Sequence, residues 1–375
     1  MFDFSSLPFV DNHCHPYRLP VVSDRYTPLD TFLGLRGSGA QETTHRDSMI
    51  YQRWATRMLA AFLDCAPDVA SVAAARRTGE AERDYVARLY RDGGVESLVA
   101  DMGYPRPPID LADFRARTPI PVAPIYRIEP IISDLLAEQV GYDAFVERFD
   151  QSIRQAIRDE RYVALKSIIA YRTGLDIDLT YRDEAEGRRA LDRAQAEPAV
   201  MAASKGWRDH LLCRTLELSI ELDVPCQIHT GFGDAEVVLQ RCNPALLNDL
   251  LTEPTYAQAR VILIHSYPYL AEASWMAAAH LNVWCDLSLG IPFAPVAADR
   301  ILSTALELAP TNRILAGSDA ASGPEQVWLA AKLSKAALAR VLTDLHARDL
   351  VTETEAPEIA AAILAGNARE LYRLS

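Results

Sequence analysis

The chain has no Cys-x-x-Cys pair and no run rich in lysine and arginine. It also lacks an uninterrupted apolar stretch of about 18 residues, the length a membrane-spanning helix needs. Each absence removes a class of protein. The six cysteines, Cys14, Cys65, Cys213, Cys226, Cys242 and Cys285, are scattered over 375 residues. Such spacing argues against a disulfide framework or a zinc knuckle and fits reduced thiols in the cytoplasm. With no basic patch and a formal net charge of −13, neither a nucleic-acid footprint nor a polybasic membrane anchor is expected. No basic segment precedes the first apolar run, so no signal peptide is expected. Repeats, low-complexity tracts and linkers are missing too, which favours one domain over residues 1–375.

What is present reads as a globular chain with a sizeable core: 49% hydrophobic and 24% charged residues. Eight short apolar runs have strand character. They are Pro8–His15, Ser97–Tyr104, Ile120–Ile128, Tyr162–Tyr171, Val224–Gly231, Arg260–Ser266, Asn282–Ser288 and Arg313–Ala320. Helical periodicity separates most of them, as in Ser133–Asp159, Tyr269–Ala279 and Ala297–Leu308, and fills the tail over Glu325–Ala347 and Pro357–Leu374. Alternation of this kind implies a parallel sheet with helices outside it, and eight units imply an α/β fold of the closed (β/α)8 type. The interval 16–96 is too long for a plain connection. It begins irregular, with Pro20, Pro28, Gly34, Gly37 and Gly39, and turns helical over Thr43–Arg91. We read it as a helical insertion between strands 1 and 2, a lid over one end of the barrel.

In such a barrel the chemistry sits at the C-terminal ends of the strands. Strand 1 ends in His13 and His15, strand 5 in His229, strand 6 in His265 and strand 8 in Asp319. On a strand, residues i and i+2 share a side, so His13 and His15 project together while Cys14 points away into packing. One metal site explains four histidines and an aspartate at converging ends, and nitrogen and carboxylate donors without thiolates suit Zn, Mn, Fe or Ni. The other histidines, His45, His210, His280 and His346, read as surface or structural. Lys166 lies inside the apolar run Ala164–Ile169, where a free ammonium is costly. It could lower its pKa, pair with a carboxylate, or react with CO₂ to become an anionic ligand.

As an ordered set, His13-x-His15, Lys166, His229, His265 and Asp319 resemble the amidohydrolase superfamily of metal-dependent TIM-barrel hydrolases. The local texts from Lys166 to Leu175, His229 to Asp234, His265 to Tyr269 and Ser318-Asp319 are similar to its amidohydrolase-2 branch. Within that branch they are closest to the group related to the N-terminal domain of fungal and plant glutamine-synthetase-like fusion proteins. The resemblance implies a binuclear centre, with zinc the first expectation. His13, His15 and Asp319 would hold one metal and His229 and His265 the other, with N6-carboxylated Lys166 and a hydroxide bridging them. Such metals sit about 3.5–4 Å apart and activate the attacking water. Asp319 would shuttle its proton, with Lys166 and His265 as further catalytic groups. The expected reaction is hydrolysis of a C–N bond, an amide or isopeptide; the alternative is a mononuclear, non-oxidative decarboxylase on the same barrel.

Residues just past the strand ends should meet substrate: Arg127, Glu129, Tyr171, Arg172, Phe232, Asp234, Tyr267 and Tyr269. Two arginines at one mouth could clamp a carboxylate, which favours a small anionic substrate such as an N-acyl or γ-glutamyl compound. Alternatively, Arg127 pairs with Glu129 and Arg172 caps a loop. The five tryptophans read as core in preference to pocket. A homo-oligomer acting on a small molecule is expected.

Overall fold

The computed structural model describes residues 1–18, 40–78 and 82–374. Eight strands follow in chain order: β1 (Phe9–Cys14), β2 (Val95–Asp101), β3 (Val122–Arg127), β4 (Ala164–Ser167), β5 (Cys226–His229), β6 (Val261–Ile264), β7 (Val283–Asp286) and β8 (Ile314–Leu315). Each pairs in parallel with the next, from β1 through β8. The ring is completed by the chain after β8, where Asn12 N donates to Ala316 O and Asp319 N donates to His13 O. The expected (β/α)8 barrel is the fold. Its strands are nearly all buried on both faces, as parallel strands between a filled interior and covering helices must be.

The apolar residues fall into two layers. Val10, Val99, Ile125, Ala164, Ile262, Ile264, Trp284 and Leu315 fill the barrel, closed at one end by Ala368, Leu371 and Tyr372 of the C-terminal helix. A larger layer lies between the strands and the surrounding helices. Two-residue alternation then carries three interior apolar residues to polar ones, Val99 to Asp101, Ile125 to Arg127 and Ala164 to Lys166, and in β5 it carries the buried Gln227 to His229. The barrel therefore has an apolar floor and a polar mouth. In β1 the register shifts between Asp11 and Cys14. That bulge lets Val10 and Asn12 face inward and still turns His13 and His15 inward, leaving Cys14 in the outer layer.

Two strands are shorter than their apolar text. Past β4, Ile168 N binds Glu129 Oε1 at 2.7 Å. Past β8, Ser318 N binds Asp11 Oδ1 at 2.8 Å. Side chains replace ladder partners there, so the backbone is free to turn. The helical stretch expected over Ser133–Asp159 is two helices, Glu129–Ala137 and Tyr142–Arg158, broken where Gln139 takes a φ of 56°. Between β1 and β2 lie helices Ala40–Asp47, Ile50–Leu63, Val69–Thr78 and Glu82–Gly93. They pack on the helix Pro324–Ala347 through Phe62 against Trp328, Trp328 Nε1 donating to Asp92 at 2.7 Å, and the Arg76–Glu325 pair at 2.6 Å. The prolines and glycines that begin this interval, Pro20 to Gly39, lie outside the described residues. Among the described residues, no helix is long and apolar enough to cross a membrane.

Candidate active site

The six residues at the strand ends meet at the barrel mouth. Asp319 Oδ1 lies 3.2 Å from His13 Nε2, 3.2 Å from His15 Nε2 and 3.8 Å from His265 Nε2. Lys166 Nζ is 3.1 Å from His13 Nε2, and the His229 and His265 rings are 4.7 Å apart. His265 and Asp319 reach the centre through left-handed backbone, with φ of 74° and 56°, a conformation costly for such residues. Hydrogen bonds hold both turns: His265 N to Asp286 Oδ1 at 3.0 Å, and Asp319 N to His13 O at 2.7 Å.

The electrostatics of these side chains suit metal ligands. Burial, with the Lys166 charge adding to it, pushes the His13 imidazole down to about 4. Burial holds His229 and His265 well below the usual histidine range. Neutral imidazoles offer lone pairs. His265 Nδ1 is 2.9 Å from Ser288 Oγ, so its proton is held there and Nε2 is left bare toward Asp319. Burial alone would raise Asp319, but the surrounding histidines outweigh it and keep the carboxylate ionised. Asp319 Oδ1 and His229 Nε2 are nevertheless buried without a hydrogen-bond partner among the described residues. Donors bound to one ion at about 2.1 Å sit roughly 3.0–3.4 Å apart. The crowding around Asp319 Oδ1, at ligand spacing and without hydrogen-bond geometry, fits a divalent cation.

One member of the site was absent from the sequence reading. Asp101, fully buried at the end of β2, accepts from Arg127 Nε and Nη2 at 2.8 and 2.5 Å. It also lies 3.6 Å from Lys166 Nζ and 4.0 Å from His15 Nδ1. The donor atoms of His13, His15 and Asp101 form a second compact group beside that of His13, His265 and Asp319. Burial would raise the Asp101 carboxyl, but Arg127, Lys166 and His15 hold it well below the usual range. Burial pushes Lys166 down to about 8, with Asp101 opposing.

A cavity of about 220 Å³ opens above this group. Of the expected substrate residues, Arg127, Tyr171, Arg172 and Asp234 line it. The other four do not. Glu129 is turned inward to Ser167 Oγ and Ile168 N, Phe232 and Tyr267 pack ring to ring, and Tyr269 OH donates to Leu239 O. The suggested Arg127–Glu129 pair is replaced by Arg127–Asp101. Among the described residues Arg172 makes no loop-capping hydrogen bond; its Nη1 is 3.7 Å from Glu236 Oε1, also at the cavity. Tyr104 and Phe293 add aromatic wall, and Phe293 meets Tyr51 from the β1–β2 interval at 5.0 Å. No tryptophan lines the cavity; Trp275, expected in the core, is 45% exposed. His210 is structural, held between Tyr181 O and Tyr142 OH.

Comparison with known proteins agrees with this geometry. The family model described as amidohydrolase matches residues 10–374. The protein fluG of Emericella nidulans is 30% identical over 98% of this chain, which spans only 46% of fluG. A solved structure from Lactobacillus casei ATCC 334, provisionally described as a metal-dependent hydrolase, superposes with a TM-score of 0.83 at 28% identity. That match covers 100% of this chain and 98% of the other. Uronate isomerase of Thermotoga maritima shares the fold alone, with a TM-score of 0.69 at 12% identity over 98% of this chain and 95% of its own.

Proposed function

The chain belongs to the amidohydrolase superfamily, a family of metal-dependent enzymes, and from that premise we propose that it hydrolyses a C–N bond in a small anionic substrate. The bond is an amide or isopeptide, of the N-acyl or γ-glutamyl kind. The observation that carries this reading is the convergence of three imidazole nitrogens on the unpartnered Asp319 Oδ1. His13, His15, His229, His265 and Asp319, with Lys166 as its carbamate, would hold two divalent ions, zinc first among them. Bound there, the ions would polarise the scissile carbonyl and activate water.

The chain's own groups do the rest. Lys166 is buried and its amine is pushed toward neutrality, so its nitrogen can add to CO₂ with loss of one proton. Asp319 would take a proton from the attacking water and return it to the leaving nitrogen. Tyr171 OH accepts from Asp234 N at 3.1 Å, which leaves the phenol proton free to donate to a substrate oxygen. Among the described residues Arg172 has only a long contact, to Glu236, so it is available to a substrate carboxylate. Arg127 is committed to Asp101, so the clamp is one arginine instead of two.

A second reading rests on Lys166. As a free ammonium it already has a counter-ion, Asp101 Oδ2 at 3.6 Å, and an unmodified lysine favours a mononuclear decarboxylase. A panel of N-acyl and γ-glutamyl amino acids, assayed beside aromatic carboxylates, separates the two. Release of amine with no CO₂ supports hydrolysis; CO₂ release overturns it.

A further inference from the structure

A second cavity, of about 410 Å³, lies apart from the metal-binding residues. It is bounded by the helix Glu129–Ala137 and by the chain around 194–208, which leads into the helix Lys205–Glu221. Leu136, Ala137, Val200 and Met201 make its walls apolar. Val200 and Met201 are nearly half exposed, at 47% and 46%, so their apolar surface is open to a ligand in the cavity. Arg208 lines the same cavity and is only 8% exposed.

Arg208 differs from the other deeply buried arginines. Arg76 and Arg127 face carboxylates at 2.6 and 2.5 Å. Among the described residues, Arg208 has no carboxylate within 4.0 Å; its Nε donates to Ser204 Oγ at 3.0 Å. That bond fixes the guanidinium, because Ser204 Oγ in turn donates to Met201 O at 2.8 Å. Glu129 contributes to the field at Arg208, but its Oε1 is taken by Ser167 and Ile168, and its Oε2, which has no hydrogen-bond partner among the described residues, does not come within 4.0 Å of the guanidinium. Glu197 lines the cavity and is exposed, and it forms no ion pair with Arg208. A buried charge without a partner is costly unless something completes it.

We propose that this cavity binds a small monocarboxylate with an apolar body, its carboxylate on the Arg208 guanidinium and its chain against Leu136, Val200 and Met201. A planar carboxylate matches the guanidinium fork. A phosphate dianion does not suit a pocket with one cation, apolar walls and Glu197 at its lining. The site is separate from catalysis and stands whether or not the C–N hydrolase reading does.

Titration calorimetry of the full chain with hexanoate tests it, with hexanol and inorganic phosphate as comparisons. Hexanoate should bind with a Kd of about 1 mM or tighter, and hexanol and phosphate roughly tenfold more weakly. Arg208→Gln should lose about tenfold in hexanoate affinity. Arg172→Ala, in the other cavity, should leave hexanoate affinity at the Arg208 site unchanged, whatever carboxylate binding it removes from the active-site cavity. Met201→Glu keeps Arg208 but sets a repelling charge in the wall; it should likewise weaken hexanoate binding by about tenfold or more, and it decides the matter if Arg208→Gln does not fold. The proposal is overturned by any of four results: no heat at about 10 mM hexanoate, full affinity in Arg208→Gln or Met201→Glu, loss confined to Arg172→Ala, or equal binding of phosphate. The first would mean that Arg208 is satisfied by water shared with Glu129.

Discussion

Replacing Asp101 with asparagine isolates the residue that ties the substrate side to the metal side. Asp101 has no exposure and takes two hydrogen bonds from Arg127. Asparagine keeps the shape, removes the charge and leaves the guanidinium buried without a counter-ion. Breaking a buried pair in this way costs about 3 kcal/mol or more. For a chain of this length the unfolding entropy is roughly 0.8 kcal/mol/K, so the melting temperature should fall by about 4 °C. A double variant, Asp101→Asn with Arg127→Met, removes both charges and should recover most of that loss. Its metal content should not recover, because His15 and Lys166 still lack the carboxylate that orients them. Differential scanning calorimetry and elemental analysis on the four proteins of the cycle supply both readouts. If the single variant melts with the wild type, or if the double variant regains both stability and metal, Asp101 does not have the role assigned to it.

Other expectations concern the neighbouring groups. Ser288→Ala removes the partner of His265 Nδ1 and should weaken metal binding roughly tenfold, measured by chelator competition; unchanged affinity would separate Ser288 from the centre. Arg172→Ala should raise KM for acidic substrates about tenfold at unchanged metal content, whereas an unchanged KM would remove it from substrate binding. A Cβ at Gly233 would run into the Tyr171 hydroxyl and come within 3.2 Å of His229 Nε2. Gly233→Ala should therefore depress kcat/KM with the fold intact by circular dichroism, and full activity would show that Tyr171 is not needed where it stands. Away from the site, burial pushes Lys335 down to about 8, below its unfolded value of about 10.4. The unfolded chain then binds more protons between those values, so stability should rise with pH across that window. Denaturant titrations of Lys335→Met should show a flatter rise there; an identical slope would place the titration elsewhere.

The barrel was legible because its strands are short, nearly fully buried apolar runs, and the candidate ligand set because strands 1, 5, 6 and 8 end in a histidine or aspartate and strand 4 carries Lys166 inside an apolar run. The same rule reaches Asp101 in Leu98-Val99-Ala100-Asp101 and Asp286 in Val283-Trp284-Cys285-Asp286. A reading that followed histidines passed over both. Other features had no local signal. The left-handed turns at His265 and Asp319 are held by groups distant in sequence, Asp286 and His13. The bulge in β1 shows only in its pairing with β2. Glu129 and Tyr269 follow their strands as Tyr171 does, yet tertiary hydrogen bonds draw them away from the cavity. Arg208 sits in a helix whose text advertises only its leucines, and its isolation depends on three separate segments.

The most direct test of the central claim is the metal count of protein purified without chelators, measured on the wild type and on Lys166→Ala. About two equivalents of divalent metal per chain, falling to one or none in the variant, is the predicted result. No bound metal in the wild type would contradict the account of the site, and a single equivalent unaffected by Lys166→Ala would contradict the binuclear hydrolase.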